Sequence, residues 1–170
     1  GQFAMAIWDT RSETLFLARD RVGIRPLYYT VADGALIFGS EIKAILADPR
    51  VEAELDPLAL DQIFTYWSTL SPNTVFKNIY DVTPGHYMIA RHGEIHLEQY
   101  WQLTFPDEPI PARPVEDAVA EFRELLIDAT QIRLRADVPV GAYLSGGLDS
   151  STTSAIIRNY TNSRLDTFSI

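Results

Sequence analysis

The chain has 170 residues, 46% hydrophobic and 22% charged, which is enough to bury a core as one or two soluble domains. Its formal net charge of −9, from 14 basic and 23 acidic residues, argues against a nonspecific nucleic-acid binder, which needs a basic face, and no apolar run approaches the ~20 residues of a membrane span. The chain contains no cysteine, so it has no disulfide, thiolate metal site or cysteine nucleophile of its own.

Residues 3–8, 15–18, 27–31 and 35–38 read as short strands. They are separated by Asp9-Thr10-Arg11-Ser12, by a loop at 19–26 holding Gly23 and Pro26, and by Ala32-Asp33-Gly34. Turn residues at this spacing predict an antiparallel meander. Residues 40–46 read as a helix with Ser40 as its N-cap. Residues 56–64 begin another, with Asp56 as cap and Pro57 in the first helical position. Residues 75–101 return to strands, with Arg91-His92-Gly93-Glu94 as a hairpin turn. The histidines His86, His92 and His96 have no carboxylate at metal-site spacing. They read as packed or solvated, His86 as a structural hydrogen-bonder, and no metal site is expected. Tyr66-Trp67 and Tyr100-Trp101 read as core or interface packing.

Pro106, Pro109, Pro111 and Pro114 mark residues 106–114 as a linker, because prolines stiffen and extend the chain. Beyond it Val115, Ala118, Val119, Phe122, Leu125, Leu126, Ala129 and Ile132 recur at spacings of three and four, which predicts an amphipathic helix. Glu116 and Asp117 in its first turn and Arg133 and Arg135 in its last complement the macrodipole. An apolar run at 138–144, a glycine turn, a helical run at 152–160 and a strand pattern ending at Thr167-Phe168-Ser169 form a β-α-β unit. Such a unit implies a parallel sheet with its ligand at the carboxyl end of the strand.

The turn itself, Leu144-Ser145-Gly146-Gly147-Leu148-Asp149-Ser150-Ser151, has the chemistry of a phosphate cradle. Its backbone N–H groups can converge on an anion, and the helix that follows adds partial positive charge. Glycines permit close approach and positive φ, and the serine hydroxyls add donors. Asp149 suits a role through Mg²⁺ or as a helix cap rather than against bare phosphate. The lysine of G-x-x-x-x-G-K-[ST] is missing, so this is not a Walker loop. The plainer reading is a strand-to-helix turn with serine as N-cap.

The S-G-G-x-D-S form resembles the pyrophosphate loop of ATP pyrophosphatases. Three further motifs, in order, are Phe3-Ala4-Met5-Ala6-Ile7-Trp8-Asp9, Arg19-Asp20-Arg21-Val22-Gly23-Ile24-Arg25-Pro26-Leu27-Tyr28-Tyr29 and Ser40-Glu41-Ile42-Lys43-Ala44. Together they resemble the second half of a class II (Ntn-type) glutamine amidotransferase domain. Pro84-Gly85-His86-Tyr87 and Tyr100-Trp101 resemble the end of that domain in glutamine-hydrolysing asparagine synthetases. Residues 137–144, the loop, and Thr167-Phe168-Ser169 resemble the start of their synthetase domain.

This resemblance implies an α+β part followed by an α/β part. Residues 1–105 would be the C-terminal half of an Ntn-type amidotransferase domain, with antiparallel β layers and helices. Residues 106–114 would be a linker, and residues 115–170 the first β-α-β unit of a parallel-sheet PP-loop domain. It implies a ligase that takes nitrogen from glutamine and amidates aspartate, with ATP and Mg²⁺. ATP and pyrophosphate would be bound by Ser145, Gly146, Gly147, Asp149 and Ser150, with Leu144 contacting ATP through its backbone. The expected partners are aspartate, glutamine and ATP, with no nucleic acid and no membrane; a homodimer stays open, and the location is cytoplasmic.

The family's glutaminase nucleophile is an amino-terminal cysteine, so no catalytic residue is assigned, Gly1 having no side chain. Both ends fall in strand patterns, and the expectation is an internal segment of a longer protein, inactive as a glutaminase by itself. Arg19, Asp20 and Arg25 admit two readings. They could support the glutaminase site or an interdomain contact, or they could form a buried ion-pair turn with Gly23 at positive φ, and the second is favoured. The loop reads only ATP, so relatives that amidate another carboxylate or close a β-lactam ring remain alternatives, as does a non-catalytic homologue.

Overall fold

A computed structural model describes residues 1–107, 112–161 and 164–169. The chain divides into two compact units, Gly1–Phe105 and Pro106–Ile170.

The first unit is built from two antiparallel sheets. One has the order β1-β2-β6-β7, from β1 (Ala4–Asp9), β2 (Thr14–Arg19), β6 (His86–Arg91) and β7 (Glu94–Gln99). The other has the order β4-β3-β5, from β3 (Tyr28–Ala32), β4 (Ala35–Gly39) and β5 (Tyr80–Asp81). Leu17, Leu27, Val82 and Met88 form the buried core, with Ala4, Leu15, Tyr29, Leu36 and Ile95 packed against it. These residues come from both sheets, so the core lies between them. Side chains alternate across a strand, which puts Phe16 and Tyr87 on the other face, ring on ring at 5.5 Å. Burying Leu17 and Met88 completely contributes about 1.5–3 kcal/mol each.

Two hairpins turn as their sequences dictate. Asp33 and Gly34 have φ of 49° and 76°, and His92 and Gly93 have φ of 51° and 83°. Each pair closes a two-residue loop, Ala32 facing Ala35 and Arg91 facing Glu94. Positive φ at both positions is the tight turn whose twist matches the flanking strands.

α2 (Pro57–Tyr66) starts at Asp56, whose side chain accepts the N–H groups of Leu58 (2.9 Å) and Ala59 (3.4 Å). α1 (Ile42–Ile45) corrects the expectation of a helix over 40–46 capped by Ser40. Its N-cap is Glu41, which stays extended and turns its carboxylate to Lys43 at 2.7 Å instead of to the helix. Tyr66 and Trp67 are not core residues. Trp67 takes the left-handed conformation that ends α2, φ 64°, and is 93% exposed.

The second unit contains α3 (Val115–Arg133), β8 (Gly141–Tyr143), α4 (Leu148–Tyr160) and β9 (Asp166–Phe168). β8 and β9 are parallel, with α4 between them in the chain. The strand expected at 138–144 is shorter, because Pro139 has no N–H to give a ladder. The helix expected at 152–160 begins four residues earlier, at Leu148. Arg123 of α3 lies over the Tyr160 ring of α4 at 5.5 Å and donates to its hydroxyl, and Gln131 Nε2 donates to the Tyr160 carbonyl at 3.0 Å. Val119, Phe122 and Leu125, on the apolar stripe of α3, are exposed within this unit. Residues 108–111 of the expected linker lie outside the described residues. Among the described residues no helix is long and apolar enough to cross a membrane.

Candidate functional site

The glycine turn joins the carboxyl end of β8 to the N-terminus of α4. Leu144 N–H donates to the Phe168 carbonyl at 2.8 Å, so the parallel pairing continues to the residue before the turn. Gly146 then takes φ +81°, which a side chain would strain, and a Cβ there would meet open space. Gly147 is the N-cap, and no side chain caps the helix. A serine cap is therefore not what shapes this turn. The Ser151 N–H donates to the Gly147 carbonyl at 3.1 Å, the first bond of the helix. The N–H groups of Leu148, Asp149 and Ser150 precede that bond and have no acceptor within the helix.

Ser145 and Ser150 face each other across the turn, with their Oγ atoms 3.1 Å apart, and Ser150 Oγ donates to the Gly147 carbonyl at 3.2 Å. Residues 145–149 are exposed, while Leu144 and Ser150 are half-buried. Leu144, Ser145, Gly146, Gly147, Asp149 and Ser150 thus form one open turn. It offers uncapped N–H groups, two hydroxyls and the positive end of a 13-residue helix dipole. That donor set fits a phosphate chain. Among the described residues no group of three or more His, Asp or Glu is gathered for a metal ion. Asp149 is a single carboxylate at the rim and fits a Mg²⁺ held mainly by phosphate oxygens.

Arg19, Asp20 and Arg25 lie in the first unit. Arg19 is 9% and Asp20 1% exposed. The Arg19 guanidinium pairs with Asp81 Oδ2 at 2.8 Å and donates to the carbonyls of Val82 (2.9 Å), Arg25 (3.0 Å) and Gly23 (3.2 Å). The Asp20 carboxylate accepts the N–H groups of Ile24 (2.9 Å), Arg25 (2.9 Å) and Phe3 (3.2 Å). Burial pushes the Asp20 pKa up, but these backbone donors outweigh it and hold it below the usual carboxylate value. Gly23 has φ +69°, and a Cβ there would fall 2.7 Å from Pro84 Cγ and 3.1 Å from Arg19 Nη2. Arg25 is exposed and enters this network through its backbone. His86 Nδ1 lies 2.9 Å from the Pro84 carbonyl, a local structural bond.

Asp81 is the residue that the linear reading missed. It lies 62 positions from Arg19, on β5 of the second sheet, while Arg19 ends β2 of the first. Ser71 Oγ donates to its other oxygen at 2.5 Å. No local signal in the sequence marks either contact.

Comparison with known proteins agrees with this division. Residues 1–101 match a family model described as a glutamine amidotransferase domain, and residues 121–170 match one described as asparagine synthase. Asparagine synthetase [glutamine-hydrolyzing] 3 of Bacillus subtilis (strain 168) is 40% identical over 157 residues, covering 92% of this chain and 25% of that protein. Amidase chyE of Penicillium rubens is 41% identical over 159 residues, covering 92% and 23%. Putative asparagine synthetase [glutamine-hydrolyzing] 2 of Methanocaldococcus jannaschii is 36% identical over 173 residues, covering 100% and 33%. The chain therefore spans between about a quarter and a third of the length of these relatives. It belongs to the glutamine-hydrolysing asparagine synthetase family, joining a glutamine amidotransferase domain to asparagine synthase sequence.

Proposed function

We propose that the turn at 144–150 holds the pyrophosphate part of ATP in a ligase that uses glutamine nitrogen to amidate aspartate. The observation that carries this reading is the uncapped, glycine-turned N-terminus of α4 at the carboxyl end of a parallel strand. The first unit's layered antiparallel sheets suit an Ntn-type amidotransferase, and the β8-α4-β9 unit suits a PP-loop domain.

A carboxylate is a poor electrophile. In the proposed reaction an aspartate side-chain oxygen attacks the α-phosphorus of ATP, the α–β phosphoanhydride bond breaks, and pyrophosphate leaves. Ammonia from glutamine then displaces AMP and gives the amide. The N–H groups of Leu148, Asp149 and Ser150, with the Ser145 hydroxyl and with the Ser150 hydroxyl once it turns from the Gly147 carbonyl, would bind the departing pyrophosphate where its negative charge grows. Leu144 would meet ATP through its backbone. Mg²⁺ carried with the nucleotide would neutralise phosphate charge, and Asp149 is the carboxylate of the turn that would help hold it. Arg19, Asp20 and Arg25 would support the amidotransferase part by holding its loop. A cytoplasmic location goes with these substrates.

The test is made in the full-length protein. Ser145→Ala and Asp149→Asn should each lower AMP formation by on the order of 10²-fold. AMP production at the wild-type rate in both variants would remove the loop from the reaction. A second reading rests on the similarity to a protein named an amidase: the acceptor is a different carboxylate. ATP/pyrophosphate exchange run against a panel of carboxylates separates the two, since only the true acceptor supports exchange.

A further inference from the structure

α4 is held more firmly at its tail than at the glycine turn. Its buried residues, Ile156 and Ile157, both lie in its second half. The last carbonyls of a helix have no partner within it. Gln131 Nε2 of α3 donates to that of Tyr160 at 3.0 Å. The Arg123 guanidinium, also on α3, lies 5.5 Å over the Tyr160 ring and donates to its hydroxyl. Tyr160 is therefore gripped by its carbonyl and by its hydroxyl, from two residues about 12 Å apart along α3. The other end of α4 has less to hold it. No side chain caps the helix at Gly147, Gly146 turns at φ +81°, and Leu148 and Asp149 are exposed. The helix is 13 residues long, about 20 Å, so a tilt of about 5° about Tyr160 would carry its first turn through about 1.7 Å. The direction in which the N–H groups of Leu148, Asp149 and Ser150 point is thus set mainly from the tail.

We propose that Arg123, Gln131 and Tyr160 are positioning residues for the glycine turn: through α4 they hold its N–H groups where the pyrophosphate part of ATP meets them. This rests on the ATP reading above. All three lie in the second unit, and none belongs to the turn. An N–H···O bond weakens steeply as its angle closes, and a misplacement of about 1 Å can cost about 10²-fold in rate. Loosening one tether of several costs less than that. Arg123 makes two of the contacts to Tyr160, and its charge lies by the negative end of the α4 dipole, so its loss should be felt most.

The experiment compares the full-length protein with Arg123→Ala, Arg123→Lys and Tyr160→Phe. Calorimetric titration with inorganic pyrophosphate and Mg²⁺ should show binding weakened about fivefold in Arg123→Ala. AMP, which lacks the β- and γ-phosphates, should bind within about twofold of wild type. Tyr160→Phe keeps the ring and loses the hydroxyl bond, and should weaken pyrophosphate binding about twofold. Arg123→Lys keeps a cation over the ring and should return to within about twofold of wild type. Amide exchange at residues 158–160 should speed up about tenfold in Arg123→Ala. A variant that merely lost folded protein would show fewer sites and leave both affinities as they were. Unchanged pyrophosphate affinity, or equal weakening of pyrophosphate and AMP, overturns the positioning role, and unchanged exchange overturns the grip on the tail. If Ser145→Ala and Asp149→Asn bind pyrophosphate as wild type does, the ATP reading fails and the positioning role with it, while the exchange result still decides whether Arg123 holds the tail of α4.

Discussion

Asp20 shows what a single carboxylate does when a loop is wrapped around it. Its oxygens take the N–H groups of Phe3, Ile24 and Arg25, so one side chain ties the start of β1 to the loop that follows β2. Burial alone would raise its pKa, yet the backbone donors win and lower it from 3.8. A depressed folded pKa stabilises the fold above the unfolded value, and that stabilisation is lost as pH falls through the folded value. The Asp20 contribution is therefore complete at neutral pH and disappears on the acid side, below about pH 4. Asp20→Ala leaves buried N–H groups without an acceptor and should cost about 3 kcal/mol at pH 7. It should also flatten the acid limb of the stability curve. Urea unfolding at pH 7 and pH 3.5 measures both. Equal acid sensitivity in wild type and variant would mean that other carboxylates set that limb.

At the scale of elements, β8, the turn and α4 make one device, and its two glycines serve different ends. Gly146 has φ +81° with free space around it, so Gly146→Ala strains the backbone without a clash and should cost about 1–2 kcal/mol before any ligand is added. Gly147 has φ −74°, and a Cβ there would meet only Ser145 Oγ at 3.6 Å, so Gly147→Ala should leave the ligand-free stability within about 0.5 kcal/mol of wild type. Both should weaken ATP binding, Gly147→Ala because its methyl would crowd the N–H groups that phosphate needs. Thermal melts without ligand and ATP titration by calorimetry separate the two effects. Equal destabilisation by both substitutions would refute the role assigned to φ.

The hairpins at Asp33-Gly34 and His92-Gly93, the Asp56-Pro57 helix start and the glycine turn were legible because each is local chemistry. What was not legible depends on distant partners. The Arg19–Asp81 pair links residues of two different sheets, and the start of α1 turned on whether Glu41 paired with Lys43 or with the backbone. Trp67, read from the sequence as core or interface packing, ends α2 in the left-handed conformation and is exposed, a backbone role that the residue type does not announce.

On the whole molecule, charge sets the terms for a polyanionic ligand. The chain carries −9, and the glycine turn contains no lysine or arginine between Leu144 and Ser151. Under the proposed function, a site made of backbone dipoles and hydroxyls would act over a short range, while the net negative charge of this segment would oppose ATP over about a Debye length. Asp149 is the single carboxylate between Leu144 and Ser151, so under the proposed function a divalent cation at this turn would be held mainly by the phosphate oxygens. Two outcomes follow in the full-length protein. Removing Mg²⁺ with EDTA should weaken ATP binding by about tenfold or more, since phosphate charge would then face Asp149 and the net negative charge directly. Raising salt from about 50 to 500 mM in EDTA should then strengthen binding, because screening relieves repulsion. A lysine-built phosphate site behaves in the opposite way, its attraction being screened. ATP affinity that is indifferent to EDTA and falls steeply with salt would point to a cationic site elsewhere and take the phosphate role away from the Ser145–Ser150 turn.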